Sequence, residues 1–236
     1  MFALYYLVVN SLKSVNEFNI SQFSLPKSLN FSNFVYVWRE GWIGITFRNS
    51  LIICGISTVI CVLIAILASF SFSLINFAGK RLLSYLIIST MYVSPMALVI
   101  PLFLQMSKLN LLNTYTGVII IYSSLNLAYA IYLTTTYFRS IPKEIIESAI
   151  IDGCNRLGIL SKIFIPLSKA GMVVLGIITF SIMWNDLLFA FIFLQKPEKQ
   201  TIMVAIAKFQ GMYGAANMTH ILSALAWVYY QKPRER

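Results

Sequence analysis

The segment that decides how this chain folds runs from Ser140 to Gly171: SIPKEIIESAIIDGCNRLGILSKIFIPLSKAG. It is too long for a turn and too apolar for a flexible linker. Ser140 is placed to cap a helix, and Pro142 suits a first turn, where its missing N–H costs no hydrogen bond. Glu144 and Glu147 fall near the helix start, where the dipole favours negative charge. Ile145, Ile146, Ala149 and Ile150 recur at helical spacing and form one apolar stripe. Asp152-Gly153 ends the helix, because glycine enters the left-handed conformation of a helix stop without steric penalty. A second helical stretch runs through Ile159, Leu160, Ile163 and Phe164, and Pro166 closes it. The expected product is an elbow: short helix, glycine turn, short helix. Its apolar stripe must be buried against something. Two readings stand side by side, an amphipathic hairpin resting on lipid headgroups and a docking element laid helix-in-groove against a soluble partner.

On both sides of the elbow the chain is apolar. Of 236 residues 58% are hydrophobic and only 11% charged, with mean hydropathy +0.78. A soluble domain carries about 25% charged residues, so this composition excludes one, and the same apolar excess excludes disorder. The net charge of +10 does not indicate nucleic acid, because the basic residues sit between apolar blocks rather than on one face. Charge-free intervals lie between Arg48 and Lys80, from Leu82 to Ser107, and from Leu109 to Phe138. A crossing needs about 20 mostly apolar residues in a helix. Spans are therefore expected at Leu51–Ile75, Leu82–Met106, Tyr115–Phe138 and Gly171–Leu194. The alternating pattern of a membrane barrel is absent. Met1–Val9 and Met218–Tyr230 are apolar but short, and no positive n-region marks the first as a signal peptide. The expected fold is an all-α integral membrane protein: a polytopic helical bundle with four full spans and two partial terminal segments. Lys80, Arg81, Arg139, Lys143, Arg156, Lys162 and Lys169 occupy a shorter stretch of loop than the basic residues opposite, which favours the cytoplasm for the elbow.

Catalytic and metal chemistry find no residues. The lone Gly79-Lys80 lacks the earlier glycine of a phosphate-binding loop, so the sequence offers no phosphate cradle. His220 is the only histidine, without a second His or paired Cys to make a metal site; it reads as interfacial. Cys54 and Cys61 read as packing residues. Polar residues within the spans are better candidates for function. Asp186 is the one acid well inside a full span, an expensive position unless it faces protein or water. With Trp184 and Asn185 it is either part of a substrate path or a structural hydrogen-bond partner. Tyr122, Asn126 and Tyr129 share one helix face, suited either to a hydroxyl-rich ligand or to helix packing. Pro95 and Pro101 predict kinks in the second span. Ala65, Ser69 and Ser73 form a small-residue stripe that lets another helix approach closely.

E-S-A-I-I-D-G at Glu147–Gly153, followed at fixed distance by I-F-I-P-L at Ile163–Leu167, resembles the EAA signature of ABC importer permeases. Glu147, Ala149, Asp152, Gly153, Ile163, Pro166 and Leu167 fit it as they stand. Ser148 and Cys154 replace alanines, and Ile165 a leucine. LKS near Leu12–Ser14, SPMALVIPLF at Ser94–Phe103, LNLLNTYTGVII at Leu109–Ile120, SIPKE at Ser140–Glu144 and FSIMWNDLLFAFIF at Phe180–Phe193 resemble the carbohydrate-uptake branch, with likeness to the maltose-type second permease. The resemblance implies a six-span norm, a second permease subunit, a cytoplasmic ABC ATPase dimer gripping the EAA loop, and an extracytoplasmic solute-binding protein delivering a sugar. It places the chain in the bacterial cytoplasmic (inner) membrane, in contact with lipid, with ATP on the partner subunit and no cofactor of its own. Within it Glu147 and Asp152 carry polar contacts to the ATPase, Gly153 sets the turn and Ala149 leaves room for close approach.

The expected organisation is a partial first span over 1–12, an extracytoplasmic segment over 13–48, and a transmembrane core over 49–194 containing the coupling loop 140–171. A second extracytoplasmic segment, 195–217, and a partial last span with a basic tail, 218–236, follow. Family members have full terminal spans, so a truncated, non-transporting permease remnant is one alternative. A secondary transporter or channel without an ATPase is another.

Overall fold

A computed structural model describes residues 2–32, 34–35 and 43–213. Among them every regular element is helical. Helix α1 covers Phe2–Ser11 and α2 covers Val15–Ile20. At about 1.5 Å per residue, α1 reaches only about half of a hydrocarbon core. Helix α3, Ile43–Leu74, has 32 residues and crosses with length to spare. Helix α4 covers Lys80–Thr90, a 3₁₀ turn Pro95–Leu98, and α5 Val99–Lys108. Helix α6, Tyr115–Arg139, is the second helix long and apolar enough to cross alone. The elbow supplies α7, Lys143–Ile151, and α8, Arg156–Leu167. Helix α9 covers Lys169–Trp184, α10 Leu188–Phe193 and α11 Ile202–Tyr213.

Two expected spans are interrupted. The axis of α4 is bent by 93° from that of Pro95–Lys108. The break lies at Met91–Ser94, just before Pro95, which cannot donate to the turn behind it. Pro101 stands in the first turn of α5, where a missing N–H leaves no helix bond open. The fourth expected span stops at Trp184, passes through non-helical Asn185, Asp186 and Leu187, and resumes as α10. If each bent helix pair is one crossing, up to four helical crossings are present among the described residues. Residues 218–236, expected to form the last partial span, lie outside the described residues, as does His220.

The chain divides into two compact units, Ile52–Asp186 and the combination of Met1–Leu51 with Leu187–Arg236. In the latter, Asn49 at the head of α3 donates through Nδ2 to the carbonyls of Glu198 (2.9 Å) and Gln200 (3.1 Å). Ser50 Oγ accepts the N–H of Ile202 at 2.9 Å, and Gln200 Nε2 donates to Leu194 O at 3.1 Å. These buried donors and acceptors satisfy loop backbone groups that burial would otherwise leave unpaired.

The unit Ile52–Asp186 holds the elbow. Ser123 Oγ on α6 donates to Ser57 O on α3 at 3.2 Å, and Ser69 Oγ on α3 donates to Ile131 O on α6 at 2.9 Å. Both contacts advance in the same chain direction, so α3 and α6 run parallel. Fully buried Ala65 and Ser69 allow the approach. Helices α6 and α9 are antiparallel. The Tyr137 ring lies over Gly171 at one end, where a Cβ would stand 2.7 Å from it. At the other end Tyr122 meets Asp186. Before α6 the chain closes α5 with Asn110 at φ +55°. Its N–H bonds Ser107 O, and Leu111 N–H reaches Met106 O. Asparagine tolerates that left-handed position better than most residues. Thr114 then caps α6 by accepting the Gly117 N–H at 3.1 Å.

Candidate functional site: the elbow and the polar pair in the spans

Helix α7 begins after Pro142, not at Ser140. Ser140 instead closes α6, its Oγ donating to Tyr137 O at 2.7 Å. A serine three residues before Glu/Lys-rich sequence looks like an N-cap, but here the preceding helix claims its hydroxyl. At the other end of α7, Cys154 N–H bonds Ala149 O (2.9 Å) and Gly153 N–H bonds Ile150 O (3.0 Å). That pair is a Schellman closure, and it holds Gly153 at φ +77°. Nothing lies within 4 Å of where a Gly153 Cβ would stand, so backbone conformation alone demands glycine. Asn155 starts α8 by accepting the Gly158 N–H at 2.7 Å through Oδ1. The Asn at the N-cap position was a readable signal that the sequence analysis passed over.

Helix α8 changes pitch. A π turn spans Leu160–Phe164, and Ile165 N–H donates five residues back to Leu160 O. Pro166 follows at once. A proline ring clashes with the carbonyl four residues back, and the widened turn moves that carbonyl aside. The axis then bends by 75° into α9.

One face of the elbow is anchored in its own spans. Phe164, 1% exposed, sits edge-on to Phe70 of α3 (ring centroids 5.2 Å) and to Phe138 of α6 (4.8 Å). Ile66, Ile141, Ala149, Ile159 and Leu160 complete this buried core, with Ile146, Cys154 and Ile163 packed at its margin. Ala149 of the signature is therefore a core residue, and Ile163 packs at the core's edge. The opposite face is open: Ile151 is 85% and Leu157 72% exposed, and Glu147, Ser148, Asp152, Gly153 and Pro166 are exposed too. The Ser148 hydroxyl turns back to Ile145 O at 3.0 Å. The elbow thus has a grip on the bundle and a free apolar surface edged by two carboxylates.

The second cluster lies within the spans. Tyr122, 2% exposed, donates its hydroxyl to Asp186 Oδ2 at 2.8 Å. A donor from another helix is what makes a half-buried carboxylate tolerable in a membrane. Asn126 Nδ2 donates to Tyr122 O one turn back, at 2.9 Å, while Tyr129 is half-buried on the same side of α6. Trp184 stacks on Phe180 with centroids 5.5 Å apart. Asn185 is exposed, and its Nδ2 donates to Ser181 O at 2.7 Å. The structure joins Tyr122 to Asp186 at the helix break, whereas Asn126 and Asn185 each bond back to their own helix one turn earlier.

Over residues 61–230 the sequence matches the family of binding-protein-dependent transport system inner membrane components. The chain belongs to this permease family. The permease is 32% identical over 223 residues to the melibiose/raffinose/stachyose import permease protein MelC of Bacillus subtilis, covering 94% of this chain and 80% of that protein. To the sulfoquinovosyl glycerol transport system permease protein SmoH of Agrobacterium fabrum it is 30% identical, covering 90% of this chain and 75% of that protein. Among solved structures, its fold is shared with a chain of a bacterial ABC transporter involved in the import of the acidic polysaccharide alginate. The TM-score is 0.82 at 24% identity, over 96% of this chain and 84% of that one. The permease is accordingly a helical inner-membrane subunit of a transport system, as the resemblance of its EAA segment implied.

Proposed function

We propose that this permease subunit forms part of the translocation path of an ABC importer for a sugar or oligosaccharide, and that its elbow transmits ATP-driven movement from a cytoplasmic ATPase dimer. The observation that carries the proposal is the division of the elbow into an anchored face and an open one. A lever must be fixed to what it moves and accessible to what moves it. Phe164, set between Phe70 and Phe138, provides the first. Ile151 and Leu157, flanked by Glu147 and Asp152, provide the second, an apolar centre with a charged rim that suits a protein groove. ATP binds and is cleaved on the partner, and this chain contributes the joint.

The sugar assignment is supported by relatives named for melibiose, raffinose and stachyose import and for sulfoquinovosyl glycerol transport. Along the path, Tyr122, Asn126, Tyr129, Trp184, Asn185 and Asp186 offer hydroxyls, amides, a carboxylate and an indole, the groups that bind and stack on carbohydrate. A second permease and an extracytoplasmic binding protein complete the assembly. Cysteines at Ile151 and Leu157, introduced singly in the assembled complex, test the central claim. Crosslinks to a nucleotide-binding subunit are expected; labelling from the extracytoplasmic side, or crosslinks to lipid alone, would overturn it. Binding-protein-dependent uptake of labelled oligosaccharides tests the substrate class separately.

A further inference from the structure

At the elbow end of the unit Ile52–Asp186 a cavity of about 590 Å³ opens between α3, α4 and α6. It lies at that end because Leu74 and Phe138, near the last turns of α3 and α6, belong to the core that holds the elbow. Its lining is mainly apolar, with Phe72, Ile88 and Ile131 among it, and carries three cations, Lys80, Arg81 and Arg139, with no acidic residue.

Arg139 ends α6, where the dipole favours a cation, but the other two are arranged against ordinary helix electrostatics. Lys80 and Arg81 are the first residues of α4, where the dipole disfavours positive charge. Gly79, at φ +82°, caps that helix without a side-chain hydrogen bond. The amides of Arg81 and Leu82 have no partner among the described residues. Lys80 Nζ is engaged by Ile75 O (3.0 Å) and Asn76 Oδ1 (3.3 Å). Arg81 donates through Nε to Tyr85 OH at 3.3 Å, and its guanidinium carbon lies 5.8 Å from the centre of that ring. Its Nη groups, and the whole guanidinium of exposed Arg139, hydrogen-bond no described residue. An uncapped helix start, two guanidinium groups and an apolar floor meet at one opening.

We propose that this cavity binds an acidic phospholipid. The phosphate lies between the α4 amides and the Arg81 and Arg139 guanidiniums, and an acyl chain covers the apolar lining. A phosphate at a helix start complements both the free N–H groups and the dipole, and basic pockets between transmembrane helices on the cytoplasmic side suit anionic headgroups. The cytoplasmic placement rests on the proposed reading of the elbow, but the lipid test needs neither ATPase nor sugar, so failure of one leaves the other intact.

The full-length protein, purified with its accompanying subunits and delipidated, is titrated with phosphatidylglycerol or phosphatidylcholine and followed by native mass spectrometry. Phosphatidylglycerol is expected to bind at least about tenfold more tightly, and the Arg81→Gln/Arg139→Gln double variant to lose that preference. Lys108→Gln, outside the cavity, keeps it. An unchanged preference in the double variant, or none in the wild type, overturns the proposal. So does inorganic phosphate displacing the lipid at equal concentration, which would make the site one for a free anion.

Discussion

Replacing Phe164 with alanine removes the ring that fixes the elbow to the spans. It is 1% exposed and makes edge-to-face contacts with two further rings, at 5.2 and 4.8 Å. Deleting a buried phenylalanine costs about 3–5 kcal/mol, of which two aromatic pairs account for about 1–3 kcal/mol. Phe164 is the elbow's one aromatic residue and packs beside its buried Ile159 and Leu160, so the loss falls on local opening rather than on the spans. Hydrogen exchange over 143–167 should therefore accelerate by about two to four orders of magnitude, with α3 and α6 amides unaffected. In reconstituted complexes ATP hydrolysis should continue while uptake per ATP falls. Phe164→Leu loses both ring pairs but keeps an apolar knob in the site, and should cost about 1–3 kcal/mol, retaining more coupling than alanine. Unchanged exchange in the elbow, or full uptake per ATP with Phe164→Ala, would refute the anchoring role.

Three other outcomes are open to measurement. At Gly153, with φ +77° and no neighbour near its Cβ position, alanine should destabilise the elbow by about 1–2 kcal/mol and asparagine by less, read by exchange at 149–158; equal effects would remove the conformational explanation. Tyr122→Phe takes away the donor to Asp186 and should lower stability in detergent by about 1–2 kcal/mol, with little further loss in Tyr122→Phe/Asp186→Asn, so additive losses would deny the coupling. Gly171→Ala drives a methyl into the Tyr137 ring, costing about 1–3 kcal/mol; most of that should return in Gly171→Ala/Tyr137→Leu, and a thermal-melt cycle showing no recovery would contradict the packing.

The elbow was readable because its first helix pairs a polar face with an apolar one. Ile145, Ile146, Ala149 and Ile150 trace a period, of which Ile146 and Ala149 pack on the core while Ile145 and Ile150 are exposed, and Gly153 marks its end. The glycine stop and the apolar second stretch both stand in the structure as the residues indicated. The starting cap did not, since Ser140 has two helix ends within reach and serves the earlier one. Inside the spans the signal fades for a physical reason. Where all faces are apolar no period distinguishes a straight helix from a broken one, so the 93° bend after α4 was marked only by Pro95, and Pro101 carried the same mark without a break. The interruption at Asn185–Leu187 was similarly silent, although the polar pair Asn185-Asp186 sits on it. Pairings such as Tyr122 with Asp186, or Tyr137 with Gly171, join residues far apart in the chain, and helix periodicity carries no information about them.

The two serine bonds that join α3 and α6 both end on main-chain oxygen. An acceptor of that kind is present whatever side chain its residue bears, so mutation opposite either hydroxyl leaves the bond available. It also recurs with every turn of helix, about 5.4 Å further on. A hydroxyl that let go of one such oxygen could be received by its equivalent one turn away, which equips the pair to slide as well as to hold.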